Sequence, residues 1–190
     1  MATGGIDPSA ILESLTTLVP GAAFEAGRTV DMPTVYVPAD RLVETCRALR
    51  DTPALGFNVL VEITAADYLP RQPRFEVVYL LLSIPNRLRL RLKVRVDSAA
   101  AAAEGVIPSV QEVWRSAGWA EREVYDMFGI VFTNHPDLRR ILMPEDWDGH
   151  PARKDYPVQI RKTAQTYEPL EVSQDEFRAN IERDRVRRAH

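Results

Sequence analysis

Cysteine occurs once in this 190-residue chain and histidine three times, and those two shortages remove whole classes of chemistry before any motif is sought. Cys46 alone closes no intrachain disulfide and holds no iron–sulfur cluster. It stands among Leu42, Val43 and Leu49 at helical spacing, with no histidine near it in sequence to act as a base. It therefore reads as a small buried residue rather than a nucleophile. His135, His150 and His190 match no zinc-ligand spacing, and neither H-E-x-x-H nor paired cysteines occur. Nucleotide-binding signals are missing too: no G-x-G-x-x-G follows a strand and there is no Walker-type loop, nor is there a G-x-S-x-G elbow. No apolar run approaches the roughly 20 residues that span a bilayer. The N-terminal Met1-Ala2-Thr3-Gly4-Gly5 lacks the basic start and apolar stretch of a signal peptide. A formal net charge of −3 and a pI near 5.7 give no pull toward nucleic acid. The expectation is a soluble chain on the cytoplasmic side that meets a membrane only through partners.

What is present is an ordinary globular composition, 45% hydrophobic and 27% charged, enough for one core plus an appendage. Asp7-Pro8 opens a helix, with Ile11, Leu12, Leu15, Leu18 and Val19 on one face and Pro20-Gly21 ending it. Residues 22–30 and 33–37 read as short strands, and Pro38 to Arg50 as a second helix. Three stronger strands follow. Asn58 to Thr64 alternates with Val59, Val61 and Ile63 on one face; Phe75 to Ser83 is apolar on both faces. Arg87 to Val96 alternates without a break, and Ile84-Pro85-Asn86 joins the last two strands as an antiparallel hairpin. Ser109-Val110-Gln111-Glu112 has the form of a capping box opening a helix that Gly118 breaks, and Trp119 to Phe128 continues helically to a cap at Gly129.

The hairpin's second strand carries Arg87, Arg89, Arg91, Lys93 and Arg95 on one face. With no aromatics interleaved to stack bases, it reads as a solvated sheet face neutralised by partners such as Glu76 and Glu62. Glu121, Glu123 and Asp126 crowd one short helix. Their simplest use is ion pairing with Arg139, Arg140 and Arg153, whose guanidinium forks match carboxylates.

From about Thr133 the character changes. His135 to Pro157 holds Pro136, Pro144, Pro151 and Pro157 and dense charge, with no sustained period, yet Leu138, Ile141, Leu142, Met143, Trp147 and Tyr156 make it too apolar for disorder. It reads as an extended arm seeking a surface outside its own domain, pre-set by proline. Ser173 to Arg188 resumes helical character with a thin apolar stripe and terminal arginines.

One stretch is diagnostic. Trp119-Ala-Glu-Arg-Glu-Val-Tyr-Asp-Met-Phe-Gly-Ile, followed by His135-Pro-Asp-Leu-Arg-Arg-Ile-Leu-Met-Pro-Glu-Asp-Trp-Asp-Gly-His-Pro-Ala-Arg-Lys-Asp-Tyr-Pro157, closely resembles the signature of the C subunit (the 30 kDa type) of the respiratory NADH:quinone oxidoreductase, complex I. The signature falls on Glu121, Arg122, Glu123, Asp126, Gly129, His135, Pro136, Asp137, Leu138, Arg139, Arg140, Pro144, Trp147, Gly149, Pro151, Lys154, Asp155 and Pro157. The resemblance implies a peripheral component holding no flavin, cluster, NADH or quinone itself. Its arm would lie along the large D subunit near the small B subunit, while FMN, iron–sulfur clusters, NADH and quinone belong to the partner subunits.

The expected fold is α+β: a two-layer sandwich with a mixed, largely antiparallel sheet of about five strands in residues 1–132, then an extended partner-binding arm and surface helix in residues 133–190. No catalytic, cofactor-binding or metal residue is expected in this chain. Two other readings stand beside this one. The first is the equivalent subunit of a membrane-bound hydrogenase or deazaflavin-dependent dehydrogenase. The second is a small metal-dependent hydrolase using His135, His150 and carboxylates such as Asp137, Asp146 or Asp148.

Overall fold

The most regular apolar alternation in the chain builds the middle of the sheet. A computed structural model describes residues 8–27, 31–97 and 105–157, with residues 173, 175 and 177–179. In it β4 (Phe75–Ser83) and β5 (Leu88–Val96) form an antiparallel hairpin, Phe75 opposite Val96 and Ser83 opposite Leu88. Leu88, Leu90, Leu92, Val94 and Val96 all face the core, so a one-residue slip would drive the cationic row into it; that penalty sets the register. β3 (Val59–Asp67) pairs antiparallel with β4, and β2 (Thr34–Tyr36) pairs parallel with β5. β1 (Glu25–Ala26) completes the order β1-β2-β5-β4-β3, a mixed and largely antiparallel sheet of five strands as expected.

Helices α1 (Pro8–Leu18), α2 (Leu42–Asp51, after a 3-10 turn at Ala39–Arg41) and α3 (Ala117–Phe128) bring Ile11, Leu15, Leu42, Cys46, Leu49 and Val124 into one core with the inward-facing strand residues. A second, two-stranded parallel sheet, β6 (Val106–Pro108) and β7 (Val131–Thr133), ties together the segments before and after α3. One compact unit runs from Met1 to Tyr156, so residues 133–156 belong to it; Pro157–His190 form a second unit, of which few residues are described.

Several local expectations are corrected. The stretch after Ser109 is a run of turns, and helix begins only at Ala117. The Ser109 hydroxyl accepts the Gln111 amide at 3.2 Å, as a turn, and donates to Glu121 at 2.6 Å. Gly118 lies inside α3, buried, with no break there. A bulge between Leu60 and Glu62 reverses the parity of β3, leaving Val61 59% exposed while Leu60 and Ile63 face inward. Of the strand foreseen over 22–30, only Glu25–Ala26 is strand among the described residues, and the Gly27 amide adds one bond to the Thr34 carbonyl. On the cationic face Lys93 pairs with Glu76 as foreseen, but Arg95 meets Glu25 and Arg91 meets Asp31, from the segment around β1 and β2, rather than Glu62. The alanine run at 99–103 and most of the helix foreseen over 173–188 lie outside the described residues; Phe177–Ala179 are helical.

Candidate functional site

Acidic positions on α3 organise the chain that follows it. Asp126, fully buried, accepts the backbone N–H groups of Ile141, Leu142 and Met143 on one oxygen at 3.0, 2.8 and 2.8 Å, and Arg140 on the other at 2.7 Å. Burial acts to raise its pKa, but the Met143 amide, Arg140 and the other two amides outweigh it and hold the carboxyl below its ordinary value. Arg140 spends its second terminal nitrogen on the carbonyls of Trp147 and Gly149, so one guanidinium gathers both sides of the loop onto Asp126. One helical turn earlier, Arg122 donates to the carbonyls of Arg139 and Arg140 at 3.0 and 2.9 Å.

The end of α3 is shaped for the same purpose. Gly129 caps it at φ 70°, and a Cβ there would lie 2.5 Å from both His150 and Arg153. The glycine thus serves twice, taking the left-handed conformation and letting the arm pass closely. Arg153 donates to the Phe128 carbonyl, and His150 donates through Nδ1 to the carbonyl of Asp126 at 2.9 Å. Burial, joined by the Arg153 and Arg140 cations, lowers the pKa of His150.

Two further anchors complete the docking. At the start of α3, Glu121 is fully buried and accepts Ser109 and the Val110 amide at 2.6 and 2.7 Å; burial raises its pKa. His135 takes the Asp137 amide on Nδ1 and directs Nε2 to the Gly118 carbonyl at 3.0 Å, a pattern that places its proton on Nε2. At the far edge of the sheet Arg74, 1% exposed, forks between Asp67 on β3 and Asp155 in the arm, each at 2.7 Å, and the Lys154 amide donates to Asp67. Burial would raise the pKa of Asp67, but Arg74 and the amides of Lys154 and Leu69 prevail and hold it at about 2.

Most of the sequence-predicted residues are therefore brought to α3, with Lys154 and Asp155 at the Arg74 edge of the sheet, though not as foreseen. Asp126–Arg140 is the expected ion pair. Glu121 instead serves backbone and serine, Arg139 pairs with its neighbour Asp137, and Arg153 serves carbonyls. Glu123 is exposed and has no partner among the described residues. Leu138 packs against the core; Pro151 is half-buried, and Pro136, Pro144 and Pro157 are exposed. The arm's surface up to Tyr156 is thus largely its own domain, because Asp126 and Asp67 accept backbone amides of the arm and Arg74 pairs with its Asp155. His135 and His150 each bond a separate carbonyl of α3, and among the described residues no group of three or more His, Cys, Asp or Glu is placed to hold a metal ion. The hydrolase reading finds no constellation to rest on there. Asp67 and Arg74 were missed. Parity offered one clue, since β3 ends with Asp67 on the side of Ile63 and a core-facing carboxylate needs a cation; nothing marked Arg74 as that cation.

Comparison with known proteins gives the family. Residues 35–162 match the family described as respiratory-chain NADH dehydrogenase, 30 Kd subunit. The chain is 46% identical over 162 residues to the C subunit of NADH-quinone oxidoreductase from Roseiflexus sp. (strain RS-1), covering 85% of this chain and 91% of that one. It is 54% identical over 127 residues to the corresponding C subunit from Geobacter sulfurreducens, covering 66% and 75%. In fold it resembles a chain from the membrane-bound sulfane sulfur reductase, an archaeal respiratory membrane complex, with a TM-score of 0.65 at 23% identity over 86% of this chain and 92% of that one.

Proposed function

Because this chain belongs to the 30 kDa subunit family of respiratory-chain NADH dehydrogenases, a component of NADH-quinone oxidoreductase, we propose that its own task is structural. It carries no step of the redox reaction. It docks on the peripheral arm, on the cytoplasmic side, against the D and B subunits of complex I, and those and other partners hold the NADH site, FMN, iron–sulfur clusters and quinone. No helix among the described residues is long and apolar enough to cross a membrane, so its membrane association runs through the complex.

One observation carries this reading: apart from exposed side chains such as Glu123, the polar groups of the signature are spent within this chain. Asp126 alone absorbs three amides and an arginine, and Arg122, Arg140, His135, His150 and Arg153 each end on carbonyl oxygens of this chain. Groups committed in this way have no spare acid, base or ligand capacity for catalysis; they shape a rigid loop. The test is purification of tagged full-length chain from gently solubilised membranes with mass spectrometry of its companions. Flavin- and cluster-bearing dehydrogenase subunits are the expected companions, and hydrogenase subunits in their place would move the chain to the related enzyme. A clean monomer that oxidises NADH or turns over another substrate alone would overturn the structural role.

A further inference from the structure

Beside the signature's exposed charges, the site presents two large apolar side chains outward. Trp119, in the first turns of α3, is 66% exposed, and Leu142 in the arm is 59% exposed. An indole this open is unusual on a soluble surface, where isolated aliphatics are common but large aromatics are not. It is also braced. The Arg122 guanidinium sits 5.3 Å from the centre of the Trp119 ring, and Arg122 is itself held by the carbonyls of Arg139 and Arg140. The folded arm therefore fixes Arg122, and Arg122 supports Trp119, so the ring has less freedom left to lose on docking. Glu123, one turn along the same helix face, is exposed with no partner among the described residues. Leu142 is tied to the same helix, its amide bonded to Asp126 three residues beyond Glu123.

We propose that Trp119 is the anchor by which this chain engages a neighbouring subunit of its complex, inserted in an apolar pocket that carries a lysine or arginine opposite Glu123, with Leu142 at the pocket's edge. This rests on the structural role proposed above and deepens it: the signature residues Arg122, Asp126 and Arg140 build and brace the contact, and Trp119, Glu123 and Leu142 make it. The chemistry selects a protein occupant. An aromatic ring supported by an arginine suits a desolvated protein pocket, and Glu123 beside it disfavours an anionic lipid surface.

The test compares full-length wild-type, Trp119→Ala, Trp119→Phe and Glu123→Lys chains for binding to the complex assembled without this chain. Trp119 is largely in water, so the alanine variant keeps the wild-type circular dichroism and urea midpoint. Expected is an affinity loss of at least about thirtyfold for Trp119→Ala, a smaller loss for Trp119→Phe, and a loss for Glu123→Lys that shrinks as salt is raised. Wild-type binding with Trp119→Ala unchanged overturns the anchor while leaving the structural role in the complex intact. Failure of the wild-type chain itself to bind overturns that role and the anchor together. Trp119-dependent binding to anionic phospholipid vesicles, or Trp119-dependent self-association, in place of binding to the subcomplex, also overturns the proposal.

Discussion

Replacing Asp126 by alanine removes the acceptor of three backbone amides and the carboxylate partner of Arg140 in one step. Each stranded amide costs about 1 kcal/mol, and loss of the charge-assisted pair to Arg140 adds about 1.5–3 kcal/mol. The arm can relieve part of this by lifting into water, so the expected loss is about 3–5 kcal/mol rather than the full sum. Asp126→Asn keeps the volume but drops the charge and turns a donor toward donors; about 2 kcal/mol is expected. The loss should be local: the arm opens while the sheet, whose core Asp126 does not enter, stays folded. Urea titration followed by far-ultraviolet circular dichroism reports the sheet, and limited proteolysis within residues 134–157 reports the arm. Cleavage in the arm rising by two orders of magnitude or more, with the sheet transition shifted far less, is the expected outcome. If both variants resist cleavage as wild type does, Asp126 is not the hub of the arm.

Arg74→Ala leaves Asp67 charged and buried without its cation and should cost about 3–5 kcal/mol by urea titration; a cost below about 1 kcal/mol would mean that the fork to Asp67 and Asp155 stabilises little. The pH dependence carries opposite signs at two places. Asp67, about 2 when folded against an ordinary 3.8, contributes stability that is full above about pH 4 and lost as pH falls toward 2, and Asp126 and Asp155 act in the same sense. Glu121, raised by burial, contributes most below its ordinary 4.5 and progressively less as pH climbs through its folded value, so Glu121→Gln should flatten the decline of stability on the neutral side; an unchanged profile would refute it. Cys46 is buried and its thiol pKa is pushed far up, first by burial and then by Glu121, so a thiol reagent at pH 8 should label it only after unfolding. Labelling of the native chain at the rate of a free thiol would contradict that burial.

How far the sequence was legible follows from which forces were local. The β4–β5 hairpin, α1 and the Gly129 cap rest on periodicity and turn chemistry within a few residues, and these were read correctly. The Ser109 capping box failed because a local pattern does not show that Glu121, twelve residues on, takes both the Ser109 hydroxyl and the Val110 amide, which only the packing of α3 brings near. The bulge at Val61 failed because one inserted residue leaves composition unchanged while reversing parity. The Asp126–Arg140 pair was legible as complementary charge; that Asp126 also gathers three amides was not, since backbone groups leave no mark in the sequence. Arg74 reaches Asp155 across 81 residues, and nothing local distinguishes it from a surface arginine. Trp119 stood inside the signature stretch, but nothing local marked it as outward-facing beside an arginine held by the arm.

The claim that the signature is satisfied within the chain, before any partner arrives, is open to direct measurement. Amide hydrogen exchange on the free full-length chain should show Ile141, Leu142 and Met143 strongly protected, with Asp126→Ala abolishing protection at all three together. Exchange of these amides at unstructured rates in the free chain, with protection gained only in the assembled complex, would contradict the account and return the arm to its partner.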